Sequence, residues 1–131
     1  MNKLLTLIII SFSITSCKTL QNTNPPYIGT WEVNIDGCIE TWIIEKNGMR
    51  RTKSAEEETV NKYTVTEVEE GTYEVIDTRI SSNSKKDCSG KRTNTANGHV
   101  SRNKIKFLDK DTFILCYPER CLDEYPFTRK K

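Results

Sequence analysis

From Tyr27 to the C-terminus, apolar residues tend to recur at every second position, the period of a half-buried strand. Trp31, Val33 and Ile35 alternate with Glu32, Asn34 and Asp36, and Asp36-Gly37 then supplies a tight hairpin turn. A second strand is predicted over residues 38–45, with Ile39, Thr41 and Ile43 opposing Glu40, Trp42 and Ile44. Asn47-Gly48 turns the chain into a short strand at 49–53, and the acidic stretch 54–58 fits a helical turn or a loop. Residues 60–68 and 72–80 form a further predicted hairpin, and a phase shift between Val75 and Ile76 implies a β-bulge. After the polar loop 81–98 come strands at 100–108, 113–117 and 122–129. About eight short strands joined mostly by tight turns predict an all-β, antiparallel small barrel or sandwich.

The pattern also assigns faces. Trp31, Val33, Ile35, Ile43, Tyr63, Val65, Tyr73, Ile105, Phe107, Phe113 and Leu115 are expected to point inward. They would fill the core or line a cavity, and a filled core is favoured because small barrels are closed by their own side chains. Trp42, Tyr117 and Tyr125 fit either an exposed contact surface or part of the core.

The first sixteen residues have another character. Met1-Asn2-Lys3 is a short basic start, and the run LLTLIIISFSI that follows is apolar but only about half the ~20 residues of a membrane-spanning helix. Small polar Thr15 and Ser16 precede Cys17, which completes the pattern of a signal peptide with its cleavage site. Ile14-Thr15-Ser16-Cys17 resembles the lipobox of bacterial lipoproteins. That resemblance implies cleavage before Cys17, a diacylglycerol on its sulfur and acylation of the new N-terminus, with palmitate a typical chain. Several acyl chains on one residue would hold the protein durably, where one alone is marginal. Lys18 is not the Asp associated with inner-membrane retention in enteric bacteria, so the resemblance implies an outer membrane, facing the periplasm. The expected organisation is a signal peptide at 1–16, a lipidated tether at 17–26 and a barrel domain at 27–131. The tether, KTLQNTNPP after Cys17, is polar and stiffens at its two prolines.

Charge and chemistry narrow the function classes. The formal net charge is +2 over the whole chain. The densest basic cluster, Lys85, Lys86, Lys91 and Arg92, lies in a polar loop, so nucleic acid is not an expected partner. Apart from Cys17, the four cysteines Cys38, Cys88, Cys116 and Cys121 suit two disulfides in an exported domain. The spacing lacks paired C-x-x-C elements and His99 is the single histidine, so neither a metal site nor a histidine-based catalytic site is expected. Glu56, Glu57, Glu58, Glu69 and Glu70 occur in runs that fit solvated turns rather than a desolvated general acid. The expectation is a protein that is not an enzyme and has no cofactor.

Gly29-Thr30-Trp31 resembles the Gly-x-Trp of lipocalins and of lipocalin-like domains on bacterial lipoproteins. The resemblance implies an eight-stranded barrel whose Trp closes one end beneath an Arg from the last strand, here Arg129. The cysteine arrangement resembles a group of short bacterial lipoproteins. It comprises Cys38, Asp87-Cys88-Ser89-Gly90, Cys116, Cys121, Phe127 and Arg129, spanning about residues 28–129. If such a barrel closes in sequence order, Cys121 comes near the turn before Cys38. Cys38–Cys121 with Cys88–Cys116 is then the expected pairing, and a local Cys116–Cys121 bridge is the alternative. The expected role is a membrane-tethered binding module for a small apolar molecule or an envelope component. The alternatives are an inhibitor or immunity lipoprotein that binds a toxin or lysozyme, and an accessory subunit of an envelope complex.

Overall fold

The computed structural model describes residues 24–131. The expected signal peptide, Cys17 and the tether as far as residue 23 lie outside the described residues. Eight strands follow: β1 (Gly29–Ile35), β2 (Cys38–Ile44), β3 (Met49–Ser54), β4 (Glu57–Glu69), β5 (Thr72–Ser82), β6 (Val100–Asp109), β7 (Thr112–Cys116) and β8 (Phe127–Arg129). Each pairs antiparallel with the next and β8 returns to β1, giving a closed all-β barrel. The described residues contain no helix.

Turn chemistry sets the parity of the first hairpin. Asp36 and Gly37 both have positive φ, 51° and 93°, so Ile35 faces Cys38 and Trp31 faces Trp42. Because side chains alternate, this register puts Glu40, Trp42 and Ile44 inside and Ile43 outside, where it is 39 % exposed. The expected inward Ile43 is thus corrected, and Trp42 is a core residue. β2 carries apolar residues on both faces, so its own pattern could not decide.

Two further expectations shift. The 54–58 stretch is a two-residue turn at Ala55-Glu56, with Ala55 at φ 53°, so β3 and β4 extend through Ser54 and from Glu57. No bulge occurs at Val75–Ile76, whose pairing with β4 and β6 is unbroken. The register slips instead at Ile80, between the Ser81–Val60 and Arg79–Asn61 pairs. Ile76 breaks the alternation because it is an apolar residue on the outer face.

Closure is brief. β8 meets β1 at only two positions, Trp31–Arg129 and Glu32–Thr128, and meets β7 at Thr112–Thr128 and Phe113–Phe127. The core concentrates there: Trp31, Phe113 and Phe127 are nearly fully buried, with the Phe113 and Phe127 rings stacked at 4.9 Å and Trp31 edge-on to Phe113 at 4.8 Å. Toward its C-terminal end β1 has no strand on that side, and the irregular segment 117–126 takes its place.

Candidate functional site

The strands run between two unlike ends. At the end where β1 begins, Trp31 Nε1 donates to the Tyr27 carbonyl at 2.9 Å and the Arg129 guanidinium lies over the indole at 4.1 Å. Arg129 also donates to the carbonyls of Ile28 (2.9 Å) and Pro26 (2.7 Å) and to Asp111 Oδ1 (3.1 Å). One side chain thereby ties the incoming chain, the β6–β7 turn and the last strand together. Gly29 is required by this clasp. Its φ is +139°, and a Cβ there would lie 2.6 Å from Arg129 Nη1. The structure therefore brings Gly29, Trp31 and Arg129 together, and the contact is a structural plug.

The opposite end, which we call the mouth, holds the long connections 83–99 and 117–126 and both disulfides. The bridges are Cys38–Cys88 and Cys116–Cys121. The expected Cys38–Cys121 and Cys88–Cys116 pairing is corrected, and the local bridge is the one formed. The cause lies in the loops. Glu56 and Glu57 both donate their backbone N–H to the Lys86 carbonyl at 3.1 Å, and Cys88 N donates to Ser54 Oγ at 3.0 Å. These bonds fold the 83–99 loop over the β3–β4 turn and carry Cys88 to Cys38. Segment 117–126 does approach the Asp36 turn, but through Tyr125, whose hydroxyl is 3.4 Å from Asp36 Oδ2. Within the 83–99 loop, desolvation pushes the Asp87 carboxyl up. The Ser89 hydroxyl, the backbone N–H groups of Lys91 and Ser89 and the Lys91 charge outweigh it and hold its pKa below the ordinary value.

Between mouth and plug lies a cavity of about 260 Å³, open to solvent on one side. It exists because β8 is only three residues long: Val33 and Ile35 of β1 look across the gap at Leu115, Leu122, Tyr125 and Phe127 rather than at a paired strand. Its other wall is polar, formed by Glu40, Trp42 and Arg50, with Asn103 and Tyr117 completing the lining. Arg50 is buried, its Nε and Nη2 donate to the two Asp77 oxygens at 3.2 and 3.0 Å, and its Nη1 donates to Thr52 Oγ1 at 2.7 Å. Its guanidinium carbon lies 4.1 Å from the Trp42 centroid. With its amide oriented to suit its neighbours, Asn61 accepts from Arg50 Nη2 at 3.1 Å. Ser54, Glu57 and Thr59 extend this polar belt toward the mouth, all buried. Two atoms in it, Glu57 Oε1 and Arg79 Nη1, have no hydrogen-bond partner among the described residues. Groups so placed are ones that a water or ligand group satisfies.

The residue pattern identified Val33, Ile35 and Leu115 as inward-facing. It missed Glu40 and Asp77, which sit beside apolar Ile39 and Ile76 and so fit the outer face, and Arg50 and Asn103, whose neighbourhoods are polar on both faces. The apparent surface aromatics divide: Trp42 is inside, Tyr125 is half-buried over the cavity and Tyr117 is 43 % exposed at its rim. His99 is exposed, and its backbone carbonyl accepts from Arg79 N at 2.9 Å. Against known proteins, no family model, no curated protein and no solved structure matches this chain.

Proposed function

We propose that this is a lipid-anchored envelope protein whose lipocalin-like barrel binds a small, largely apolar molecule without transforming it. The observation that carries the reading is the half-open pocket of about 260 Å³, one side of it apolar and the other bearing a few fixed polar groups. That volume lies just under the usual range for ligand pockets, which fits a compact ligand. Two disulfides are consistent with the oxidising compartment that the Cys17 lipobox implies. Chain direction adds support. The tether joins the barrel at the plugged end beside Pro26 and Tyr27, while β1 runs away toward the mouth. A barrel anchored through Cys17 would therefore offer its open end on the side away from the tether.

The test is to purify the lipidated full-length protein from envelope membranes and identify what accompanies it by mass spectrometry of both small molecules and proteins. Ile35→Trp, which fills the cavity from one wall, serves as the comparison. The expected result is a small molecule that travels with the native protein and is lost from the variant at unchanged melting temperature. A protein partner recovered equally with both forms, and no small molecule, would sink the reading in favour of an inhibitor or accessory role. Cys17→Ser should abolish labelling by fatty-acid analogues.

A further inference from the structure

We propose that the cavity selects an organic cation, an ammonium carried on a short apolar or aromatic body; this rests on the ligand-binding reading above. The argument is a charge inventory of the cavity wall. Arg50 is the positive side chain on that wall, but its charge is balanced by Asp77 at two contacts, Thr52 and Asn61 occupy further donors, and Trp42 covers one face. It has little left to offer an anion. Glu40 is the negative side chain on the wall. Its Oε1 accepts from Trp42 Nε1 at 2.6 Å, its other oxygen has no donor, and no Lys or Arg among the described residues is within ion-pair distance of it. Glu40, which is half-buried, is thus held in one orientation by a neutral donor, with no basic partner among the described residues.

The inner faces of β2–β5 repeat this imbalance. By register they carry four carboxylates, Glu40, Glu57, Glu67 and Asp77, of which Glu67 is exposed, against two guanidinium groups, Arg50 and Arg79. The remaining lining suits a cation with an apolar tail. Tyr117 and Tyr125 stand at the rim, where aromatic faces attract an ammonium group. Val33, Ile35, Leu115 and Leu122 give a dry wall for the tail. At about 30 Å³ per water in the liquid, the cavity holds roughly nine waters, so a ligand of about that many non-hydrogen atoms fits.

Phenethylammonium, neutral phenylethanol and anionic phenylacetate are close to this size and differ in charge. Each would be titrated calorimetrically into the mature chain, residues 17–131 produced without the signal peptide and kept unlipidated by Cys17→Ser so that no detergent competes. The expected order is ammonium first, alcohol second and carboxylate last. Glu40→Gln keeps an acceptor for Trp42 and should weaken the ammonium about tenfold or more while leaving the alcohol unchanged. Glu40→Asp, which keeps the charge, should retain most of the ammonium preference, and melting curves confirm that both variants are folded. If the alcohol or the carboxylate binds as well as the ammonium, or Glu40→Gln weakens all three alike, the cation is overturned while the ligand-binding cavity stands. If none of the three binds and Ile35→Trp leaves the co-purifying molecules unchanged, both readings fall.

Discussion

Arg129 over Trp31 and Arg50 over Trp42 each place a guanidinium carbon 4.1 Å from an indole centroid, yet the two pairs lie in different surroundings. Arg129 is at the plugged end, partly solvated, and spends its donors mainly on backbone carbonyls, with Asp111 adding a half-exposed carboxylate. Arg50 is inside the barrel and is answered by Asp77, whose side chain is 3 % exposed. The same contact fastens a chain end in one case and builds a polar cavity wall in the other. What separates them is how completely water is removed from the charges: a solvated pair gains and costs little, whereas a desolvated one depends on its partner.

The largest expected effect tests that difference directly. Asp77→Asn keeps the shape but leaves Arg50 buried without a counter-charge, and should cost about 3–5 kcal/mol. Asp111→Asn removes an equivalent charge from Arg129 and should cost no more than about 1 kcal/mol. Urea denaturation of the two variants measures both. Equal losses would mean that the Arg50 site is hydrated and that the contrast between the two arginine sites is false.

A smaller effect concerns the mouth, whose two bridges close loops of very different size. Cys38–Cys88 spans 50 residues of sequence and Cys116–Cys121 spans 5. Loop-closure entropy gives about 4 kcal/mol for the first and about 2 for the second. Replacing each pair with serines should reproduce that order in denaturant midpoints, and peptide mapping under non-reducing conditions should recover the same two pairs. A linkage between Cys38 and Cys121 would restore the sequence-based expectation and displace Cys88 from the mouth.

How far the sequence predicted the molecule follows the same division. At the plugged end, Gly29, Trp31 and Arg129 could be picked out because Gly29-Thr30-Trp31 resembles a known motif that implies an Arg partner from the last strand. The eight strands were likewise visible through alternation and through Asp36-Gly37 and Asn47-Gly48. The polar cavity wall and the mouth were hidden. β3 is Met-Arg-Arg-Thr-Lys-Ser, polar on both faces, and nothing in it marks Arg50 as buried and Arg51 as exposed. The turn at Ala55-Glu56, which lacks the usual Gly or Asn, sets the register of β4 against β3. The cysteine pairing failed for a related reason, since it depends on how the 83–99 loop folds over that turn.

The most modest prediction uses pH to loosen one end at a time. At the plugged end, burial first, then the neighbouring Tyr27 and Glu45, push the Tyr63 phenol up to about 12, and its hydroxyl donates to the Glu45 carbonyl. A pKa raised above the unfolded value of about 10 favours the protonated form in the native state. Its contribution is therefore complete below pH ~10 and is lost as pH rises through about 12. Asp87 at the mouth has the opposite sign. Its pKa is held below the ordinary carboxylate value, so its contribution is present above pH ~4 and is lost as pH falls through the native pKa. Amide hydrogen exchange should accordingly show acid opening the 83–99 loop while Tyr27 and Tyr63 stay protected. Alkali should expose the tyrosine cluster, with tyrosinate absorbance rising in step, while the bridged mouth holds. Tyr63→Phe removes the titrating group and the bond together, so it should be less stable at neutral pH and lose less stability in alkali. If one extreme of pH released both ends together, the barrel would be a single cooperative unit, and the distinction between plug and mouth would be one of composition alone.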